Sequence, residues 1–287
     1  MTPRDIHNYR PLLSKASTSL THEVEAVDER GRRSTIAIPA ERPLTVYVDK
    51  RELVTLMTLG GAPEALTLGY LRNQRLVRSL DAIASIQVDW SVAAVAVTTH
   101  NGIADVEQRT SKKVVTTGCG QGSVFGGLMD DIDQISLPAG ARLRQSAVYQ
   151  IIDTVRVQQS IYKQAGSVHG CALFTDAGEL LYFIEDVGRH NAVDAIAGNM
   201  WLDRVGGNDK VFYTTGRLTS EMVIKGAQMG IPFLLSRSGT TQMGHMVAER
   251  VAMCLLTRCT GKHFLLLTGQ HRLEWEPQPF DAALKEP

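Results

Sequence analysis

The chain has 287 residues, 44% of them hydrophobic, enough for one large core or two smaller ones. Lys plus Arg and Asp plus Glu each number 30, so the formal net charge is zero, and nucleic-acid binding through bulk charge is excluded. No stretch approaches the ~20 apolar residues of a membrane span, and Met1 to Lys15 lacks the apolar centre of a signal peptide. Cys119, Cys171, Cys254 and Cys259 show no disulfide-like spacing, so reduced thiols and a cytoplasmic location are expected.

In the first part of the chain, Val24 to Val27 and Ser34 to Ile38 are short extended stretches able to pair. Leu44 to Val48 reads as a strand, Asp49-Lys50 as a turn, and Leu53 to Leu59 as an apolar run closed by Gly60-Gly61-Ala62-Pro63. A helix is expected from Glu64 to about Arg72. Ile83 to Val88 and Val92 to Val97 alternate as strands, and Val106 to Arg109 is a candidate third. A glycine-rich loop follows, Thr116-Thr117-Gly118-Cys119-Gly120-Gln121-Gly122-Ser123. Glycine on both sides of Cys119 permits tight turns and leaves the thiol accessible, and thiolate chemistry needs that access.

In the second part, Arg144 to Gln164 carries a helical pattern. Cys171 to Thr175 and Leu180 to Ile184 read as a hairpin, and Asn191 to Met200 as a helix with Asn191 a candidate N-cap. Val211 to Thr215 and Phe233 to Ser236 read as strands, with a helix capped by Thr219 or Ser220 between them. Met243, Met246, Val247, Val251, Cys254 and Leu255 form one helical stripe, fit for a core or for a dimer interface, and Phe264 to Leu267 is the last strand. Alternating strands and helices imply an α/β sheet covered on both faces.

The densest polar run is Glu185-Asp186-Val187-Gly188-Arg189-His190-Asn191-Ala192-Val193-Asp194. It joins a strand end to a helix start, where free N–H groups, a positive dipole end and cationic side chains suit an anion. Thr214 to Glu221, followed by Lys225, and Ser236 to Thr241 repeat the pattern, and three such turns on successive strands are expected to face one crevice. Neither a Walker A sequence nor a Gly-x-Gly-x-x-Gly fingerprint is present, which excludes ordinary NTPase and dinucleotide readings. His169-Gly170-Cys171 has no Cys-x-x-Cys to complete a zinc site, so no metal site is expected, and His169 reads as a core histidine beside a buried cysteine.

These segments resemble the FdhD family, the formate dehydrogenase accessory sulfurtransferases. The resemblance runs from about Val46 to Arg272 and is most specific at Gly166 to Ala172, Glu185 to Asp194, Gly216-Arg217 and Gly230-Ile231-Pro232. It implies a cytidine-deaminase-like three-layer α/β/α sandwich over 141–287, preceded by a smaller α+β domain over 1–140 that ends in the cysteine loop. It also implies a sulfur carrier. Cys119 would accept sulfur as a persulfide from a cysteine desulfurase and pass it to the molybdenum (or tungsten) bis-molybdopterin guanine dinucleotide cofactor of formate dehydrogenase.

The implied cofactor site comprises Arg189, His190, Asn191, Asp194, Gly216, Arg217 and the strand Phe264, Leu265, Leu266, Leu267, Thr268, Gly269. A GDP-like nucleotide would fit it, with Arg189, Arg217 and Lys225 as phosphate partners. Implied protein partners are the desulfurase, the catalytic subunit of formate dehydrogenase and a second copy of the chain. The family's Cys-x-x-Cys is Cys119-Gly120-Gln121-Gly122 here, so one thiol is missing. An insertion chaperone that binds the cofactor without transferring sulfur is the alternative reading. A zinc deaminase is excluded, because neither His/Cys-x-Glu at His169 nor Pro-Cys-x-x-Cys is present.

Overall fold

The computed structural model describes residues 9–102 and 132–276. The Cys119 loop and the expected strand Val106 to Arg109 lie outside the described residues. In chain order the first half gives β1 (Leu12–Leu13), a ribbon of β2 (Thr21–Val27) and β3 (Arg33–Pro39), a hairpin of β4 (Arg42–Val48) and β5 (Arg51–Thr58), helix α1 (Pro63–Asn73), and the antiparallel pair β6 (Ile83–Asp89) and β7 (Ala94–Thr99). Asp49 and Lys50 both have positive φ, as a two-residue hairpin turn between twisted strands requires. Strands β1, β6, β7, β4 and β5 form one sheet in that order. Leu44, Val46 and Val48 alternate inward along β4 and pack with Ile86, Val95 and Val97 against Leu66, Leu68 and Leu71 of α1.

The second half begins with β8 (Leu143–Arg144), α2 (Gln145–Val157) and α3 (Ile161–Ala165). It continues through β9 (His169–Thr175), β10 (Leu180–Asp186), α4 (Arg189–Leu202), β11 (Lys210–Thr214), α5 (Ser220–Gln228), β12 (Phe233–Ser236), α6 (Gln242–Arg250), β13 (Cys254–Thr260) and β14 (His263–Thr268). A short β15 (Leu273–Glu274) pairs with β8. The six-stranded sheet has the order β10-β9-β11-β12-β13-β14. Its three central strands β11, β12 and β13 are parallel, and the remaining pairings are antiparallel.

Both faces of this sheet are buried, and the side chains divide by the period of two. Cys171, Leu173, Phe212, Leu234 and Leu255 pack against α4, α5 and α6. Ala172, Phe174, Val211, Tyr213, Phe233, Leu235 and Leu256 pack against Val148, Ile151 and Ile152 of α2. Three local expectations change. The helix expected over Arg144 to Gln164 is broken at Gln158, whose extended backbone (φ −53°, ψ 136°) ends α2 before Ser160 caps α3. The stripe from Met243 to Leu255 is not one helix: α6 stops at Arg250, and Cys254 and Leu255 belong to β13. Cys259, which sequence places near a helix end, likewise sits in β13. A stretch of buried strand following a buried helix face reads as one periodic run, which is why sequence merged them.

The two halves meet where α1 lies against α4. A Cβ on Gly69 would fall 1.6 Å from the Asp194 carbonyl oxygen, and one on Gly198 would fall 1.9 Å from that of Ala65. The helices therefore touch backbone to backbone, and glycine is required at both crossings.

Candidate functional site

The strand ends that carry the polar turns lie on one side of the six-stranded sheet. Asp186 at the end of β10 pairs with His169 at the start of β9. Thr215 continues β11 and donates its N–H to the Gly170 carbonyl at 2.9 Å, and the Arg237 N–H donates to the Thr214 carbonyl at 3.0 Å. A crevice of about 580 Å³ opens here, between the strand ends and helices α2 and α3. Its wall includes His169, Glu185, Thr215, Arg237 and Ser238, so the three polar turns do contribute to one crevice. The 430–580 Å³ class of cavity is the size that small-molecule sites occupy.

Arg189 and Arg217 lie beside His169 of this wall. Gly216 lies between them: a Cβ there would come within 2.8 Å of Arg189 Cδ and 3.4 Å of His169 Nδ1. Burial, then the charges of Arg189 and Arg217, hold the His169 imidazole below its ordinary pKa, so the neutral ring is favoured. His169 is thus a half-buried wall residue and not the core histidine that its sequence setting suggested. Cys171 is buried as expected, and burial pushes its thiol up to about 12 while Thr214 Oγ1 lies 3.3 Å away. Such a thiol is inert. Cys259 borders the crevice but is only 1% exposed, and burial pushes it to about 12 as well.

Glu185 is the acidic residue of this wall, and its carboxylate is engaged. It accepts the N–H groups of Ile161 at 2.5 Å and Tyr162 at 3.2 Å, which caps the start of α3. Helix α3 is therefore tied to the strand end, and Tyr162 and Lys163 on it join the wall together with Arg156 of α2. These three residues were not singled out from sequence. They lie in a helical stretch remote from the strand-end turns, and nothing local distinguishes them.

Other residues of the polar runs build a sealed seam between the halves. The Asp186 carboxylate accepts from Thr58 Oγ1, from the Leu59 N–H at 3.1 Å, from the Gly188 N–H at 3.1 Å and from Asn191 Nδ2 at 2.8 Å. Asn191 Nδ2 also donates to the Met57 carbonyl at 2.7 Å. Asn191 is hence the third residue of α4, not its cap; Gly188 holds the cap position. Asp194 and Lys225, both fully buried, are ion-paired at 2.8 Å, and Asn73 Nδ2 donates to Asp194 at 2.7 Å. Glu221 lies 3.7 Å from Lys225 and 3.2 Å from His190 Nε2. Lys225 is spent on this pair, so its ammonium is not placed to meet a phosphate in the crevice.

The strand β14 runs antiparallel to β13, so its two ends part company. Phe264 lies near the crevice end, in contact with the rings of Tyr149 and Trp275. Leu265, Leu266 and Leu267 run along the sheet edge. Thr268 and Gly269 lie at the far end, where Thr268 Oγ1 donates to the Met253 carbonyl at 2.7 Å. The structure thus brings Arg189, Gly216 and Arg217 together, puts His190, Asn191 and Asp194 in the seam, and separates Thr268-Gly269 from both. Among the described residues no cluster of His, Cys, Asp and Glu has the arrangement of a metal site.

Comparison with known proteins is consistent along most of the chain. The protein from Saccharolobus solfataricus named sulfur carrier protein FdhD is 28% identical over 256 residues, covering 87% of this chain and 96% of that one. The Listeria innocua protein of the same name is 26% identical and covers 83% and 91%. The crystal structure of a Desulfotalea psychrophila protein assigned as a formate dehydrogenase accessory protein shares the fold, with TM-score 0.71 and 24% identity over 88% of this chain and 98% of its own. The FdhD/NarQ family profile matches residues 39–274, and the chain belongs to that family.

Proposed function

We propose that this protein is a sulfur carrier serving formate dehydrogenase, with Cys119 as the sulfur-bearing residue. The observation that carries the reading is the family match across residues 39–274. In loading, the Cys119 thiolate attacks the terminal sulfur of a cysteine desulfurase persulfide. A new S–S bond forms on Cys119, the donor S–S bond breaks, and the desulfurase cysteine leaves as a thiolate, with no net redox change. The acceptor is the molybdenum (or tungsten) bis-molybdopterin guanine dinucleotide, bound as substrate before it enters the catalytic subunit of formate dehydrogenase. Release of the sulfur as sulfide consumes two electrons. An external thiol supplies them by attacking Cys119 and forming a mixed disulfide, because Gly122 stands where the family's second cysteine would.

The crevice supports the cofactor half of this reading. Arg156 and Arg237 line it and Arg189 and Arg217 lie beside its His169, a set of guanidinium groups suited to the phosphates of a guanine dinucleotide or of GDP. The sheet order, with helices on both faces, supports a cytidine-deaminase-like sandwich for the second half. Exposed Met243 and Met246 on α6 and Leu265 on the edge strand β14 support a homodimer, and no described helix is long and apolar enough to cross a membrane. The insertion-chaperone reading draws on the missing second cysteine.

Mass spectrometry after incubation with a cysteine desulfurase and cysteine separates the two. Wild type should gain the mass of one sulfur atom, and Cys119→Ala should gain none. A gain that persists in Cys119→Ala and vanishes in Cys171→Ala moves the persulfide elsewhere, and no gain in wild type leaves the chaperone.

A further inference from the structure

A second cavity, of about 430 Å³, lies at the other end of α4 from the crevice. Helix α4 has 14 residues, so the two sites are separated by about 20 Å along its axis. Arg72, Arg78 and Arg204 line this cavity, with Trp201 and Tyr9 as its flat apolar surfaces and Asp81 as its acidic residue.

Arg72 is partly buried, and this burial pulls its pKa down to about 10. Its partners are the Ala197 carbonyl, at 2.9 Å from Nη1, and the Trp201 ring, at 5.1 Å from the guanidinium carbon. Neither is an anion. Part of this is helix capping, since Ala197 belongs to the last turns of α4, where carbonyls attract cations. Capping does not account for Arg78, which is exposed and directed to the same cavity. Among the described residues neither Arg72 nor Arg78 is ion-paired, and Asp81 bonds to neither. Arg204 donates to the Tyr9 carbonyl at 3.0 Å and closes the wall. A guanidinium partly withdrawn from water without a counter-anion is costly, and an anion entering the cavity would lower that cost.

We propose that this cavity, formed where α1, α4 and Tyr9 meet, is a binding site for a small organic phosphate with a planar ring, of the nucleoside monophosphate class. The guanidinium forks of Arg72 and Arg78 match phosphate oxygens. Trp201 and Tyr9 give the ring a surface. The volume lies within the roughly 300–1,000 Å³ of small-molecule sites. The site is independent of the crevice and of the sulfur chemistry, so it stands or falls separately from the sulfur-carrier reading.

The test is titration of the full-length protein with AMP and, separately, inorganic phosphate, followed by tryptophan fluorescence and calorimetry. AMP should bind with Kd below about 1 mM and change the emission, and Trp201→Phe should abolish that change. Arg78→Glu, at an exposed position, should weaken AMP at least about tenfold, as loss of a charge-assisted contact does. Arg237→Ala, in the crevice, should leave AMP affinity unaltered. Wild-type affinity in Arg78→Glu overturns the site, as does loss of all binding in Arg237→Ala. Equal affinity for AMP and inorganic phosphate overturns the assignment of a ring-bearing ligand. Circular dichroism and melting of each variant, matched to wild type, tie any loss to the site.

Discussion

The crevice at the strand ends and the seam between the halves are made from the same stretches of sequence, yet they differ in almost every physical respect. Glu185, Thr215 and Arg237 line open space and Arg217 is exposed, whereas Asp186, His190, Asn191, Asp194, Glu221 and Lys225 are closed off from water. Residues two or three apart fall on opposite sides of this division. The turn of a helix decides it: Arg189 faces the strand ends, and Asp194, five residues on, faces α1. Polar density marks a strand-to-helix turn, but it does not separate a ligand site from a buried network. What separates them is whether the protein itself satisfies each group. In the seam the pairing is internal, so the cluster fixes how the halves sit. At the crevice the guanidinium of Arg237 lies on the wall at an exposed position, where an anion can reach it.

Removing the seam's cation should have the largest effect. Lys225→Ala leaves Asp194 and Glu221 buried without their positive partner, and should cost about 3–5 kcal/mol in urea unfolding. Lys225→Met, which fills the volume but also lacks the charge, tests whether volume matters; a small loss in both variants would make the seam mere packing. Next comes the helix crossing. Gly198→Ala places a methyl against the Ala65 carbonyl and should cost about 1–3 kcal/mol by forcing α1 from α4. Retained wild-type stability would show that the crossing yields easily.

The pH dependence sharpens the same contrast. Burial, and the charge of Asp194, raise the Glu221 pKa, while Lys225 opposes them. A carboxyl whose folded pKa lies above its unfolded value binds more protons when folded. Its stabilising contribution is present below the unfolded pKa, near 4.5, and is lost as pH rises through the folded value. Urea unfolding from about pH 5 to 7 should therefore show wild type losing stability relative to Glu221→Gln. Parallel curves for the two would place no titration at Glu221.

At the crevice the expected stability changes are smallest. Arg217→Ala and Arg237→Ala, both exposed, should shift stability by no more than about 0.5 kcal/mol. Their GDP affinity, measured by calorimetry, should nevertheless fall roughly tenfold or more, because each removes a charge-assisted contact. Unfolding of either variant, or wild-type GDP affinity in both, would erase the distinction between rim and seam.

Much of the architecture is legible in the sequence. β-Branched and aromatic content predicts the strand Leu44 to Val48, with Asp49-Lys50 as the turn after it, and likewise β9 to β12, because local sterics and burial pattern act within a few residues. The family is legible too, through the Gly166 to Ala172 and Glu185 to Asp194 segments. Tertiary structure alone decided the rest. It broke the Met243 to Leu255 stripe into a helix and a strand, since burial on both sides of a turn leaves no local trace. It sent Asp194 and Lys225, 31 residues apart, into one buried pair, and it drew Arg156, Tyr162 and Lys163 to the crevice. Sequence specifies which groups are polar; only the packing of α1 on α4 and of α3 on the strand ends determines which of them the protein satisfies for itself.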